Sequence, residues 1–204
     1  MSDAQIAINK IGTETLLIPI VGTAPLIVHK FSEKAKRQML DAMQGRKSPK
    51  QPRDPEADYE SAMYLHDDGG YGFPVIAFKA ATVGASRYFG KSVPMTMLRQ
   101  SIFVDAEFSK RDGQKLARIV GAPHMREDVV RVGMGTDLRY RPEFTEWQAV
   151  LEVTFVASML TRDSVLSLIE AGGMGVGVGE WRPEKKGDFG TYQIDGTRDI
   201  EVVK

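Results

Sequence analysis

The pattern of apolar and polar positions in the first third of the chain alternates between extended and helical periods. Residues 13–28 are apolar and β-branched, with two prolines and a glycine among them, which predicts a strand, a bend and a second short extended piece. Ser32 can cap a helix, and residues 33–43 repeat apolar side chains at helical spacing, which predicts an amphipathic helix. Residues 45–55 mix glycine and prolines with basic residues, so we expect a mobile basic loop. A short helix is expected over residues 55–64, with proline in its first turn.

The rest of the chain is richer in the alternating apolar residues that are typical of strands. A helix is predicted first, because apolar side chains recur at helical spacing over residues 78–89. Strands are predicted at residues 101–108, 116–120, 129–132, 138–140 and 147–156. Thr161 then caps a helix over residues 163–171, which a double glycine is expected to end. These elements predict an α+β fold with a strand-rich insertion around residues 100–145.

The composition is that of an ordinary globular protein. The 204 residues, of which 42% are hydrophobic and 26% charged, are enough for one domain with a sizeable core. No apolar run is long enough to span a membrane, and residues 1–5 lack the features of a secretory signal. We therefore expect a cytoplasmic protein that does not enter a membrane.

The absence of cysteine excludes disulfides, thiolate zinc sites, iron–sulfur clusters and a cysteine nucleophile. Only three histidines remain as soft ligands, and because His29, His66 and His124 are widely separated, we expect no metal and no cofactor. The 27 basic and 27 acidic residues cancel, which argues against a protein that coats polyanions over its whole surface. Local basic patches are still compatible with this balance.

The most informative segment, residues 170–194, is rich in glycine. In an extended chain, alternate glycines would leave one face bare while Met174, Val176 and Val178 cover the other. These glycines are Gly173, Gly175, Gly177 and Gly179. The close neighbour that a bare face admits is either a sugar-phosphate backbone or a helix of the same protein. An aromatic residue and three cations follow at once and favour nucleic acid: Trp181, Arg182, Lys185 and Lys186.

Two other parts of the sequence are locally basic. Between residues 30 and 53, two acidic residues stand against eight positive ones: Lys30, Lys34, Lys36, Arg37, Arg46, Lys47, Lys50 and Arg53. A second stretch contains five arginines: Arg118, Arg126, Arg131, Arg139 and Arg141. Alternate strand positions could direct these guanidinium groups along one track for phosphates. The alternatives are a solvated helix face and loop for the first tract, and intramolecular ion pairs for the second.

Few residues indicate catalysis. His29 follows an apolar strand, so it is either a general base toward a ribose hydroxyl or a hydrogen-bonded structural residue. The adjacent acidic pairs at 67–68 and 127–128 could hold a divalent metal, but an acidic turn is the simpler account. No serine-hydrolase elbow and no nucleotide-binding glycine motif can be laid on the sequence.

Two regions of the sequence carry a resemblance to a known family. A-P-L-I-V-H follows the first strand, and G-G-M-G-V-G-V-G-E-W-R with D-F-G-T-Y follows the last helix. Together they resemble the RAMP superfamily, which includes the backbone and processing subunits of CRISPR effector complexes. The resemblance implies a ferredoxin-like (RNA-recognition-motif-like) fold whose glycine-rich loop after the last helix lies against bound RNA. In the loop, the resemblance covers Gly172, Gly173, Gly175, Gly177, Gly179 and Arg182. It also covers residues 25–29, more weakly. The whole chain is also similar to uncharacterised proteins of tailed bacteriophages, which implies an origin but no activity.

We therefore expect an α+β, ferredoxin-like protein that binds single-stranded RNA or DNA with little sequence preference. One RAMP-like domain is expected over residues 1–204, and copies would bind side by side along the strand as a homo-oligomer or filament, in the host cytoplasm if a phage encodes the chain. The alternatives are a phage anti-defence protein that mimics or binds a host CRISPR subunit, and a metal-independent endoribonuclease of the same fold with His29 as its base. The expected nucleic-acid contacts are Lys30, Lys34, Arg37, Arg46, Lys47, Lys50, Arg53, Arg126, Arg131, Arg139, Arg141, Gly175, Gly177, Gly179, Trp181, Arg182, Lys185 and Lys186.

Overall fold

The computed structural model describes residues 10–46, 52–133 and 135–203, and its described elements combine α-helices with antiparallel sheets in an α+β fold. In chain order the elements are β1 (Thr13–Gly22), β2 (Leu26–Ile27), α1 (Glu33–Met43), α2 (Pro55–Ser61), β3 (Tyr64–Leu65), β4 (Tyr71–Pro74), α3 (Val75–Gly84), α4 (Met95–Ser101), β5 (Ile102–Asp105), β6 (Phe108–Ser109), β7 (Gln114–Arg118), β8 (Pro123–Val132), β9 (Gly135–Phe144), β10 (Gln148–Val156), α5 (Arg162–Gly175), β11 (Tyr192–Ile194) and β12 (Glu201–Val203). Short 3-10 helices lie at Ala85–Tyr88, Gly90–Ser92 and Pro183–Lys185. None of the described helices is long and apolar enough to cross a membrane.

The central sheet has the strand order β11-β1-β10-β5, and β12 also pairs with β1. Every pairing in this sheet is antiparallel. Helix α3 lies in the chain between β1 and β5, helix α5 lies between β10 and β11, and the two helices pack against each other. Gly172 permits this approach, because a Cβ atom there would lie 2.7 Å from the carbonyl oxygen of Ala81 in α3.

The hydrophobic core joins the central sheet to these two helices. Alternate residues of β1 and of the chain entering β10 point into it, as a period of two predicts: Leu16, Ile18, Ile20, Trp147, Ala149, Leu151, Val153 and Phe155. They pack with Phe78 of α3 and with Val165 and Ile169 of α5. The one-sided apolar face predicted for residues 147–156 is confirmed.

The remaining strands form two smaller sheets with the orders β2-β9-β8 and β3-β4-β7-β6. Strands β8 and β9 form a long hairpin whose register runs from Pro123 opposite Phe144 to Val132 opposite Gly135. Strands β5 to β9 occupy the part of the chain that the alternating pattern predicted to be strand-rich. This region supplies much of the charged surface described below.

Several boundaries differ from the expectations. The helix predicted over residues 78–89 begins at Val75, ends at Gly84 and continues only as 3-10 turns. The strand predicted over residues 101–108 is divided, because α4 extends to Ser101 and two short strands follow.

The double glycine does not end α5, which continues to Gly175. Both glycines are buried, and a side chain at Gly172 or Gly173 would collide with α3 or with Tyr192 of β11. Close backbone packing therefore outweighs the low helix propensity of glycine at these two positions.

Helix α1 forms where the pattern predicts it, and Ser32 caps it by accepting a hydrogen bond from the Ala35 amide at 3.2 Å. Its apolar side does not join the core: no residue of the helix is buried, and Met43 is 84% exposed. Of the loop expected at residues 45–55, residues 47–51 lie outside the described part of the chain, and with them Lys47 and Lys50.

Candidate nucleic-acid interface

Two cavities meet at His29, which lines both of them. The larger has a volume of about 630 Å³ and lies between the start of α1, helix α2 and strand β9. We call it the basic cavity because it gathers residues from both predicted basic tracts: Lys30, Lys34, Arg53 and Arg139. The smaller, of about 320 Å³, lies between α3 and residues 176–184. We call it the loop cavity because Gly177, Gly179 and Arg182 line it.

The basic cavity carries four cationic side chains against the carboxylates of Asp58 and Asp137. Arg53 forms an ion pair with Asp137 and donates to the carbonyl oxygen of Leu138 at 2.7 Å. The Nε atom of Arg139 lies 3.8 Å from the same aspartate. Lys34 is exposed at the rim. Because Lys30 is paired with Asp112, three of these cations stand against the two carboxylates, and the remaining positive charge favours an anion such as a phosphate group.

Lys30 has a buried partner of its own. Its ammonium group forms an ion pair with Asp112, whose side chain is fully buried and also accepts a hydrogen bond from the Leu65 amide at 2.9 Å. Burial, and after it the positive charges of Arg111 and Lys36, lower the pKa of Lys30. Lys30 therefore fastens the turn between β6 and β7 to the wall of the basic cavity.

Ion pairs within the protein occupy two arginines of the β8–β9 hairpin. Arg141 is 1% exposed and binds Asp128 and, at 3.4 Å, Glu180. Arg126 lies directly opposite it on β8 and binds Asp128 and, at 3.1 Å, Glu143. For these two residues the structure shows the alternative of intramolecular ion pairs, because acidic residues of the hairpin and of the glycine segment bind their guanidinium groups.

The other arginines of that stretch are placed differently. Arg118 binds Asp68 at 3.0 Å and Glu107 at 3.4 Å. Arg131 is exposed and donates to the carbonyl oxygen of Gly133 at 3.4 Å. Only Arg139 among the five lines the basic cavity.

The interpretation of the sequence assumed that the glycine segment is extended, but the structure shows a helix end followed by turns. After α5 ends at Gly175, the chain turns at Gly177 with φ +69° and at Gly179 with φ +79°. A Cβ atom at Gly179 would lie 2.6 Å from the carbonyl oxygen of Ile27, and one at Gly177 would lie 2.9 Å from Pro183. The close neighbour of these glycines is therefore the protein itself, and the turns require them.

Trp181 contacts cations of its own chain. Its ring centre lies 4.9 Å from the guanidinium carbon of Arg141 and 5.4 Å from that of Arg126, and the Phe189 ring is 6.0 Å away. The backbone of Trp181 has φ +50°, an uncommon conformation for a bulky residue. The ring that the sequence assigned to base stacking thus holds the glycine segment against the β8–β9 hairpin.

The cations that follow Trp181 differ in whether they line a cavity. Arg182 lines the loop cavity and donates to the carbonyl oxygen of Gly179 at 3.1 Å and to Glu184 at 3.0 Å. Four further cations expected to contact nucleic acid are exposed and line neither cavity: Arg37, Arg46, Lys185 and Lys186.

His29 is paired with a carboxylate. Its Nδ1 atom lies 3.8 Å from Oε1 of Glu180, whose other oxygen contacts Arg141. The interaction with His29 lowers the pKa of Glu180 more than burial raises it. Among the residues that the structure describes, no group of three His, Asp or Glu side chains could hold a metal ion.

No family model matches the sequence, and no curated protein matches it. Two solved structures are similar to this chain. Cmr6 from Pyrococcus furiosus is 10% identical, with a TM-score of 0.42 over 91% of this chain and 100% of that one. A chain of the type III-B Cmr-beta complex bound to cognate target RNA is 8% identical, with a TM-score of 0.46 over 94% of this chain and 61% of that one. Both are RAMP-containing CRISPR proteins, the group that the sequence motifs resemble.

Sequence reasoning missed residues of both cavities. Phe31, which is 47% exposed, and Tyr140 line the basic cavity, and Gln114 lines the loop cavity. Arg111 lies close enough to Lys30 to lower its pKa. The turn K-R-D-G that contains Arg111 is visible in the sequence, but the contact of its aspartate with Lys30 spans 82 residues and no local pattern indicates it.

Proposed function

We propose that this protein binds single-stranded nucleic acid, RNA or DNA, with little dependence on sequence. One observation carries the proposal: the fold brings cations from three separate segments of the chain around one cavity of about 630 Å³, beside two aromatic side chains. Phosphates supply most of the affinity in such a site, and bases of any identity can stack on aromatic rings.

In this proposal Lys34, Arg53 and Arg139 contact phosphates, while Phe31 and Tyr140 offer surfaces to bases. Lys30 and Arg141 are supporting residues, because each is engaged in a buried ion pair. The exposed cations at residues 37, 46, 185 and 186 extend the attraction beyond the cavity. Trp181 orders the glycine segment instead of stacking on bases.

The ferredoxin-like core belongs to the same proposal. The order β11-β1-β10-β5, with helices between β1 and β5 and between β10 and β11, supports it, because the four strands taken in chain order lie as 4-1-3-2. We propose one RAMP-like domain over residues 1–204 with a basic loop at residues 45–55 and a strand-rich insertion around residues 100–145. Copies would bind side by side along a strand, as a homo-oligomer or filament, and a phage origin would place them in the host cytoplasm.

The test is a titration of nuclease-treated protein into labelled single strands, followed by fluorescence anisotropy at two salt concentrations, with duplex controls. We expect salt-sensitive binding that Lys34→Gln weakens, and the negative slope of log K against log salt should become smaller in magnitude by about one. Lys91→Gln is the matched control, since Lys91 is an exposed lysine that lines neither cavity. No binding to any strand at low salt would overturn the proposal and direct attention to a host defence protein as partner.

A second candidate function is cleavage of RNA, which the position of His29 favours. His29 lines both cavities, and its Nδ1 atom lies 3.8 Å from the Glu180 carboxylate, a position that suits a general base toward a 2′-hydroxyl group. Gel analysis of end-labelled RNA and of DNA with the same sequence decides it. Cleavage of RNA alone, lost in His29→Ala while binding persists, would support this function; intact RNA after incubation with the wild type would exclude it.

A further inference from the structure

The loop cavity differs in chemistry from the basic cavity beside it. Its walls are Ile76, Ala77 and Ala80 of α3 on one side and residues 176–179 on the other, with Tyr64 and Phe73 between them. Ile76 is 64% exposed, so an apolar surface faces the opening. The volume of about 320 Å³ is at the lower end of the range for small-molecule sites, which suits one planar group and not a length of strand.

The charges of the loop cavity disfavour phosphate. Glu180 and Glu184 both line it, and Arg182, the one arginine among the described residues of its lining, already donates to Glu184 at 3.0 Å. Glu180 is also paired with Arg141 at 3.4 Å and Glu184 with Arg87 at 3.6 Å. These charges compensate one another, and Arg182 is not left unpaired for a phosphate group. A neutral ring therefore fits this cavity better than a phosphate group does.

Polar groups suited to the edge of a heterocycle also line the cavity. Gln114 is half-buried, and its amide offers both donors and an acceptor. Tyr64 packs edge-on against Phe73 with ring centres 5.9 Å apart. Burial, and after it the charge of Glu180, raise the pKa of Tyr64, so the hydroxyl group keeps its proton and remains a donor.

We propose that the loop cavity receives one unstacked nucleobase of the strand whose phosphates lie in the basic cavity. The inference rests on the proposed function, and His29 links the two sites because it lines both. The base would lie between the methyl groups of α3 and the glycine segment, with its edge toward Gln114 and Tyr64. The turns at Gly177 and Gly179 would then serve to bring backbone within reach of a flat ring.

The test moves a single abasic position along a short labelled strand and measures binding by anisotropy. We expect one position, or positions at a regular interval if copies bind side by side, at which loss of the base weakens binding to the wild type by about tenfold. Ala80→Trp should fill the cavity, bind the intact strand about tenfold more weakly and no longer respond to the abasic position. Ala157→Trp is the control, since Ala157 is exposed and lines neither cavity.

A strand with 2-aminopurine at the sensitive position gives a second readout, because its fluorescence should rise when the base leaves the stack. If circular dichroism finds Ala80→Trp unfolded, Gln114→Ala replaces it, with the exposed strand residue Gln148→Ala as its control. Equal binding of every abasic strand, with Ala80→Trp or Gln114→Ala behaving as the wild type, would overturn the base site while leaving nucleic-acid binding intact. If the wild type binds no strand at all, the proposed function itself is wrong, and this outcome is distinct from the loss of the base site.

Discussion

The guanidinium carbon of Arg141 lies 4.9 Å from the centre of the Trp181 ring, although the two residues belong to a hairpin strand and to the glycine segment. Arg141 also binds Asp128 on the neighbouring strand and Glu180 beside Trp181. One buried side chain thus joins the β8–β9 hairpin to the segment that lines the loop cavity.

We expect Arg141→Ala to reduce the free energy of unfolding by about 1.5–3 kcal/mol, because it removes one of the two guanidinium partners of the buried Asp128 carboxylate, which keeps Arg126. Urea denaturation measures the change. Arg131→Ala is the matched control and should stay within about 0.5 kcal/mol, since Arg131 is exposed. A stable Arg141→Ala protein that has lost strand binding would instead assign Arg141 to the ligand.

Gly179→Ala should destabilise the protein by about 1–3 kcal/mol, because the residue has φ +79° and a Cβ atom would lie 2.6 Å from the Ile27 carbonyl oxygen. Gly12→Ala is the control, since no atom of the described residues, its two chain neighbours apart, lies within 4 Å of a Cβ atom placed there. Denaturant midpoints of the two variants compare them directly. Equal midpoints would contradict the view that the turn requires glycine.

The stability of the protein should fall in acid partly through Glu180. The folded state lowers the pKa of this carboxyl, through His29 first, so it binds the proton less readily than the unfolded chain does. The resulting stabilisation is present above the ordinary glutamate pKa of about 4.3 and is lost as the pH falls through the lowered folded value. Glu180→Gln should flatten this part of a urea-midpoint profile between pH 6 and pH 3, whereas the exposed control Glu152→Gln should keep it. An unchanged profile in Glu180→Gln would show that Glu180 does not contribute to the loss of stability in acid.

Phe31→Ala should weaken binding to single strands about tenfold with little change in the salt slope, because it removes a stacking surface and no charge. Anisotropy titrations at two salt concentrations measure both quantities. Phe108→Ala is the matched control, as Phe108 is also about half-exposed but lines neither cavity. Equal losses in the two variants would place the stacking surface elsewhere.

Local patterns were sufficient for much of the fold. The alternation of apolar residues predicted the buried faces of β1 and β10, and the caps Ser32 and Thr161 marked the starts of α1 and α5. These features depend on neighbours within a few residues, where the period and the capping chemistry are visible in the sequence. The end of α5 was predicted wrongly because Gly172 and Gly173 are required for close packing against α3 and β11, which are distant in the sequence.

The candidate site was also predictable from the sequence only in part. Residue types and their order along the chain show which positions are cationic, and they predict that the glycine segment makes close contacts and that His29 follows an apolar strand. Which of these cations remain available depends on the fold, because Asp112 pairs with Lys30 across 82 residues and Glu180 pairs with Arg141 across 39. Charge pairing and cavity formation depend on which distant segments the fold brings together, and the spacing of residues along one chain does not encode those encounters locally.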